Sequence, residues 1–276
     1  MKSIDELLAG SALPSAEASV LLGHVLRVER PWIIAHGRDG VPEPQAHAVE
    51  ALFAKRRAGE PVAYLTGERE FCSVSLHVTP SVLIPRPETE LLVEQALALI
   101  AGREVPKVLD LGTGSGAIAV AIAHARPDAR VWATDVSSEA LAVASNNALR
   151  HAADVRFVQS DWFAALGEER FDLVASNPPY VAQGDPHLKQ GDLRFEPQAA
   201  LLGGPDGMDC IRTIAAGART HLVPGGWLLL EHGYDQGPAC VRLLVGLGYT
   251  DVADIQDLSG LPRVCKGRFD APPHAG

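Results

Sequence analysis

Asn177-Pro178-Pro179-Tyr180 follows directly on the apolar run DLVAS, and no other segment of the 276-residue chain constrains a chemistry so narrowly. Its two prolines lock φ and remove two backbone N–H donors, which leaves a rigid edge of carbonyl acceptors. An amide or exocyclic aromatic amine is a poor nucleophile because its lone pair is delocalised. If the Asn177 side-chain oxygen and the Pro178 carbonyl each accept one N–H, they aim that nitrogen at an electrophile and stabilise the positive charge developing on it. Pro179 holds the edge stiff, and Tyr180 can lay its ring face against a planar target group. The chemistry implied is alkyl transfer to a planar nitrogen by positioning and desolvation, with no general base at that step.

The electrophile needs a site of its own. VLDLGTGSGAIAVAIA carries Asp110, Gly112, Thr113, Gly114, Ser115 and Gly116 from the end of an apolar strand into a helix. Glycines there permit a tight turn and close approach of a ligand to the backbone. Asp135 closes the next strand, at the spacing where a carboxylate accepts from both hydroxyls of a ribose. A third strand ends in Ser160-Asp161-Trp162, so that Asp161 or its neighbouring backbone can meet an adenine amino group while Trp162 covers the ring. A nucleoside bearing a sulfonium methyl, S-adenosyl-L-methionine with S-adenosyl-L-homocysteine as product, fits both sites. The glycines alone leave a dinucleotide open, because Gly112-x-Gly114-x-x-Ala117 also satisfies that fingerprint. The G-x-S-x-G nucleophile elbow fails around Ser115, where positions 113 and 117 are Thr and Ala.

These residues must be carried by particular elements. Residues 1–60 place apolar side chains such as Ile4, Leu7, Val20 and Leu21 at helical spacing, interrupted by Pro14, Pro31, Pro42 and Pro44, which predicts a small bundle of short helices. From Glu70 the alternation of Phe71, Val74, Leu76 and Val78, followed by Val82-Leu83-Ile84, predicts a β-hairpin turning at or near Pro80. Beyond it a helix over 91–100 leads into alternating strands and helices, the pattern of a mostly parallel sheet with helices on both faces. Later segments read as a helix near 210–221, a strand 227–231, a helix from about 235, and closing runs 249–256 and 263–269. The expected architecture is α/β: a helical domain over 1–68, a hairpin connector over 69–86 and a Rossmann-like methyltransferase domain over 87–276.

Composition excludes several classes. The net charge of -10 argues against sequence-independent binding to phosphate backbones, which is built from clustered Lys and Arg. Lys55-Arg56-Arg57 is the one dense basic cluster and reads as a solvated helix face. Cys72, Cys210, Cys240 and Cys265 are far apart, without the spacing of a zinc site, and read as reduced and packed; no metal is expected. Asp5 and Glu6 stand where a signal peptide would be apolar, and no run reaches the ~18 apolar residues of a membrane span. The expectation is a cytoplasmic monomer without membrane attachment, ordered except for its last few residues.

Taken together, the motifs resemble one family over nearly the whole chain, the bacterial peptide chain release factor glutamine methyltransferases, also called the PrmC or HemK family. The match includes Arg57-x-x-Glu60-Pro61-x-x-Tyr64-Leu65-x-Gly67, Glu70-Phe71, IPRPETE over 84–90, DLGTGSGAIA, SNPPY, FEPQAAL, LLGGPDGM and RVCKGRF. The resemblance implies that the amino-terminal helical domain helps hold a class 1 release factor. It also implies that the methyl acceptor is the side-chain nitrogen of the glutamine in that protein's Gly-Gly-Gln loop. By the same resemblance, Gly112 to Gly116 and Asp135 bind the methionine and ribose parts of the donor, Trp162 lies by the adenine, and Asn177 to Tyr180 hold the glutamine amide. Pro85 to Glu90 would shape the entrance, while Glu88 and Glu90 are equally compatible with a helix-start pair facing the dipole. An adenine-N6 methyltransferase acting on nucleic acid is the alternative, since that amine poses the same geometric problem. The acidic charge and the lack of a long target-recognition insertion stand against it.

Overall fold

Ser3-x-x-Glu6 is a capping box: the Ser3 hydroxyl accepts from the Glu6 N–H at 3.2 Å while the Glu6 carboxylate accepts from the Ser3 N–H at 2.8 Å. It opens α1 (Ile4–Gly10), followed by α2 (Ser15–Leu26), α3 (Arg30–Ala35), α4 (Glu43–Arg57) and α5 (Val62–Thr66). The structure is a computed structural model and describes residues 1–270, so the expected disorder of the last few residues falls outside the described residues. The prolines that punctuate this region begin helices: Pro14, Pro42 and Pro61 are N-caps, and Pro31 and Pro44 sit in first turns. A missing N–H costs nothing there. Ile4, Leu7, Leu21, Leu22, Val49 and Phe53 meet in one small core.

That unit is discontinuous. Met1–Glu68 is completed by His187–Phe195, and the second unit comprises Arg69–Pro186 with Glu196 onward. The segment 187–195 consists largely of two 3-10 turns, Pro186–Lys189 and Gly191–Phe195. Arg56 secures it, donating to Glu17 at 2.7 and 3.0 Å and to Asp192 at 2.9 Å. Arg194 donates to the Ala58 carbonyl at 3.3 Å, and Arg57 to that of Ser11 at 2.8 Å. The expected solvated basic face is therefore corrected: of the three cations, Arg56 and Arg57 hold their own unit together, because each reaches acceptors far away in sequence.

The second unit begins with a hairpin, β1 (Glu68–Phe71) and β2 (Val74–His77), that closes at Cys72-Ser73 and not near Pro80. Both turn residues have positive φ, +46° and +63°, the backbone of a two-residue turn that matches strand twist. Val82-Leu83-Ile84 is loop, with Val82 and Ile84 buried. Their apolar character reflects packing, which alternation alone does not distinguish from a strand.

Next come α6 (Thr89–Ile100), β3 (Lys107–Leu111), α7 (Ala117–Ala125), β4 (Arg130–Asp135), α8 (Ser138–Arg150), β5 (Val155–Gln159) and β6 (Phe171–Ser176). The unit closes with α9 (Asp209–His221), β7 (Leu222–Glu231), α10 (Gly237–Gly246), β8 (Thr250–Gln256) and β9 (Pro262–Phe269). The strands form one seven-stranded sheet in the order β5-β4-β3-β6-β7-β9-β8, with β9 antiparallel to both of its neighbours. KVLDL and FDLVAS are buried on both faces, as strands covered by helices on both sides must be. The strand order reverses between β3 and β6, and in open α/β sheets ligands bind in the crevice at such a reversal. Ser176 marks the spot: its hydroxyl donates to the Leu111 carbonyl at 2.7 Å, tying together the carboxyl ends of these two strands.

Asn147 on α8 fastens three segments to one another. Its amide nitrogen donates to the carbonyls of His77 at 2.9 Å and Ser115 at 2.8 Å, and its oxygen accepts from the His77 N–H at 2.7 Å. The Asn147 side chain and its bond to Ser115 are fully buried. Leaving buried backbone groups unpaired costs roughly 1–3 kcal/mol each. Asn147→Leu is accordingly expected to destabilise the protein by about 3 kcal/mol in urea unfolding, with nucleoside binding weakened because Ser115 loses its tether; unchanged stability would contradict this assignment.

Candidate active site

At the carboxyl ends of β3, β4, β5 and β6 the second unit holds a cavity of about 320 Å³, within the range of small-molecule sites. Its floor is the glycine loop. Gly112, Gly114 and Gly116 have φ of +70°, +56° and +84°, a left-handed backbone that only glycine adopts without strain. A side chain at Gly116 would also press on Ala144 at 3.0 Å, so this glycine lets α7 and α8 approach.

Gly112, Thr113, Gly114 and Ser115 line the cavity, as do Asp135, Asp161 and Trp162. Asp135 is held by the loop it faces, accepting from the Gly114 N–H and the Ser137 N–H, both at 2.9 Å. Trp162 packs beside Gly112. Asn177 and Pro179 reach the cavity from the end of β6. Among the expected residues, Asp110, Gly116, Pro178 and Tyr180 adjoin these positions in the chain without lining the cavity themselves.

Asp110 is wholly buried. Its Oδ2 accepts from the Thr113 hydroxyl at 2.6 Å and the Ala119 N–H at 3.2 Å, while Oδ1 has no hydrogen-bond partner. Burial pushes its pKa up to about 7; the bonds from Thr113 and Ala119 only partly offset this, and Asp135 adds a like charge. A buried carboxylate in this state is matched to a cationic ligand, which would favour its ionised form. Asp110, Asp135 and Asp161 together make the surroundings of the cavity acidic, complementary to a ligand that carries positive charge.

The NPPY edge is buttressed from behind. The Gln236 side chain donates to the Tyr180 carbonyl at 3.0 Å, Val181 N–H donates to Leu201 O, and Gly203 N–H donates to Val181 O, both at 2.9 Å. A Cβ on Gly207, whose φ is +76°, would lie 2.3 Å from the Tyr180 carbonyl oxygen, so LLGGPDG needs glycine to lie against this edge. Asn177 Nδ2 donates to the Thr89 hydroxyl at 3.0 Å, and the Tyr180 hydroxyl donates to Glu231 at 3.2 Å. Burial drives Glu231 up to about 7, with hydrogen bonds from Thr89 and Tyr180 opposing it. Burial and the adjacent Glu231 hold the Tyr180 phenol well above its usual range.

Motif reading had placed Thr89 only among the residues shaping the entrance, and had assigned no role to Gln236 or Glu231, nor to Pro197, Ala199 and Ala200, which line the cavity with Thr89. IPRPETE and FEPQAAL carried the signal for two of these groups. Arg86 from the first motif donates to the buried carboxylate of Glu196 in the second at 2.6 Å, pinning that wall. Glu90 accepts from the Cys72 N–H at 3.1 Å, so it holds the hairpin turn to α6. Among the described residues, no group of three or more His, Cys, Asp or Glu is arranged to hold a metal, and no helix is long and apolar enough to cross a membrane.

The model of the PrmC N-terminal domain matches residues 2–67, and that of the methyltransferase small domain matches residues 87–196. The release factor glutamine methyltransferase of Bordetella pertussis is 50% identical over 268 residues, spanning 97% of this chain and 99% of the relative. The chain belongs to the release factor glutamine methyltransferase family. The Escherichia coli member is 46% identical over 264 residues, 95% of each chain. The fold of the family's catalytic unit is shared with the solved T. thermophilus 16S rRNA N2 G1207 methyltransferase in complex with AdoMet and guanosine. The TM-score is 0.55 at 21% identity, covering 73% of this chain and 49% of that one. The chain is thus an S-adenosylmethionine-dependent methyltransferase with a Rossmann-like α/β fold.

Asp110 makes the ligand-free enzyme pH-sensitive. Its folded pKa is raised, so the unfolded chain ionises it first and stability falls as pH rises from about 4 to about 7. Asp110→Asn should remove that slope: in thermal unfolding without ligand, the variant gains on the order of 2–4 kcal/mol at pH 8 and nothing near pH 4. The same substitution should weaken S-adenosylmethionine binding in calorimetry at pH 8. A variant no more stable than wild type at pH 8 would show that burial leaves this group unperturbed.

Proposed function

We propose that this enzyme transfers a methyl group from S-adenosylmethionine to the side-chain amide nitrogen of the glutamine in the Gly-Gly-Gln loop of class 1 release factors. The observation that carries the reading is the Asn177 amide. Its nitrogen is committed to Thr89, which leaves its oxygen to accept an N–H at the cavity wall.

S-adenosylmethionine supplies an electrophilic methyl on a sulfonium. The glycine loop and Asp135 would hold its methionine and ribose, Asp110 would balance its positive charge, and Trp162 would cover its adenine. Asn177 Oδ1 and the Pro178 carbonyl would each take one hydrogen of the glutamine amide, turning its nitrogen toward the methyl. As the new C–N bond forms and the S–C bond breaks, positive charge grows on that nitrogen, and the two acceptors stabilise it. The nitrogen then loses one proton to solvent. Tyr180 would flank the planar amide with its ring, its hydroxyl being engaged by Glu231. We place the reaction in the cytoplasm and assign the enzyme a monomeric state, with a protein loop and not nucleic acid in the acceptor site.

The test is mass spectrometry of purified release factor after incubation with enzyme and S-adenosylmethionine. One added methyl group on the loop glutamine is expected, and Asn177→Ala should lower kcat at least about 100-fold, the scale seen when one preorganised polar contact to developing charge is removed. An unmodified release factor, with methyl entering an oligonucleotide adenine instead, would overturn the proposal in favour of the nucleic-acid reading.

A further inference from the structure

An asparagine amide is nearly symmetric in shape, and only its hydrogen-bond partners decide which end faces a ligand. At the NPPY edge that choice is decisive. Presenting Oδ1 gives the substrate N–H an acceptor, whereas presenting Nδ2 sets donor against donor. Asn177 and Tyr180 are both tied to side chains outside their own motif. Asn177 Nδ2 donates to Thr89 Oγ1 at 3.0 Å, the Tyr180 hydroxyl donates to Glu231 Oε1 at 3.2 Å, and the Thr89 hydroxyl acts on the Glu231 carboxyl so as to favour its ionised form. Thr89 and Glu231 are both buried, Glu231 completely.

We propose, building on the methyl-transfer reading above, that Glu231 is a positioning residue that sets the polarity of the acceptor edge through Thr89. The ionised carboxylate accepts only, so both hydroxyls that reach it must donate. Thr89 then has lone pairs alone to offer Asn177, Asn177 must turn Nδ2 toward it, and Oδ1 faces the cavity. The same carboxylate holds the Tyr180 ring by its hydroxyl. Protonating Glu231 removes the constraint: its own O–H can donate, Thr89 can turn its hydrogen to Asn177, and the amide can flip.

The carboxylate is suited to this task because it is wholly buried with Oε2 unpartnered. The charges and titratable groups facing it are Glu88 at the start of α6, Arg263 on β9 and Tyr180 after β6. Arg263 is itself paired with Asp257 at 3.1 Å, and His232, next to Glu231 in the chain, pairs with Asp254 at 3.1 Å. The raised pKa of Glu231, about 7, places its protonation within a range that a kinetic profile can reach.

Three variants test the relay on the intact enzyme with release factor as substrate. Thr89→Val, close in shape but without the hydroxyl, should lower kcat about 100-fold while S-adenosylmethionine affinity by calorimetry stays within about twofold. Thr89→Ser, which restores the hydroxyl, should recover most of that rate. Wild-type kcat should rise with pH through about 7, and Glu231→Gln should abolish that limb with a loss of about tenfold at pH 8. A limb due to Asp110 would appear in the KM for S-adenosylmethionine, not in kcat. Thr89→Val turning over like wild type, Thr89→Ser failing equally, or Glu231→Gln keeping the kcat limb would each overturn the relay. A wild-type enzyme that leaves the release factor glutamine unmethylated would instead overturn the methyl-transfer reading.

Discussion

Everything at the catalytic end of this enzyme depends on the parallel pairing of β3 with β6. Leu111 and Ser176 are register partners, and the Ser176 hydroxyl closes the pair on the Leu111 carbonyl at 2.7 Å. One residue beyond Leu111 the backbone enters the glycine loop, and one beyond Ser176 it enters Asn177-Pro178-Pro179-Tyr180. A slip of one residue in that register would reverse which side chains face each side of the sheet. The donor loop and the acceptor edge would then no longer share a crevice. Chain direction matters equally, since the sheet reverses its winding at this pair and thereby leaves the space open that helices fill elsewhere.

Much of this was legible in the sequence, and for a definite reason. Strand ends, glycine turns and proline pairs are local rules, so VLDLGTGSG and SNPPY disclose both their backbone and their position on the sheet. The same holds for β6, which ends at Ser176 with the apolar run DLVAS, and for α6, where the helix expected over 91–100 ends at Ile100. The hairpin turn was not legible, because Cys72 and Ser73 are not residues that advertise positive φ. Nor was Val82-Leu83-Ile84 as loop, since apolar alternation reports burial before it reports strand.

The supporting residues were hidden by distance along the chain. Thr89 meets Asn177 across 88 residues, and Tyr180 meets Glu231 across 51. In the sequence Thr89 is one of the entrance residues of IPRPETE and Glu231 ends an apolar strand; only the fold brings each to the NPPY edge. Lys55-Arg56-Arg57 misled for the same reason. A basic run at a helix end is ordinarily solvated, but Arg56 finds Glu17 and Asp192, two carboxylates that hold its guanidinium even more firmly protonated than usual.

Asp192 also bears on what counts as a domain here. Residues 187–195 lie between the NPPY edge and Glu196, yet they pack as part of the helical unit. The unit that the resemblance associates with holding the substrate therefore includes chain from both sides of the first 68 residues' boundary. Arg194 and Asp192 bond the end of α4 and the turn after it, so residues 1–68 alone would leave Arg56 without its Asp192 partner and the Ala58 carbonyl without the Arg194 donor. The catalytic edge and the wall beginning at Glu196 are both anchored in the sheet unit, the first by Gln236 and Glu231, the second by Arg86. A segment that leaves one anchored edge and returns to another is constrained at both ends, so its loop-closure cost is small. This is why a short excursion with only 3-10 turns of its own can remain an ordered part of a different unit.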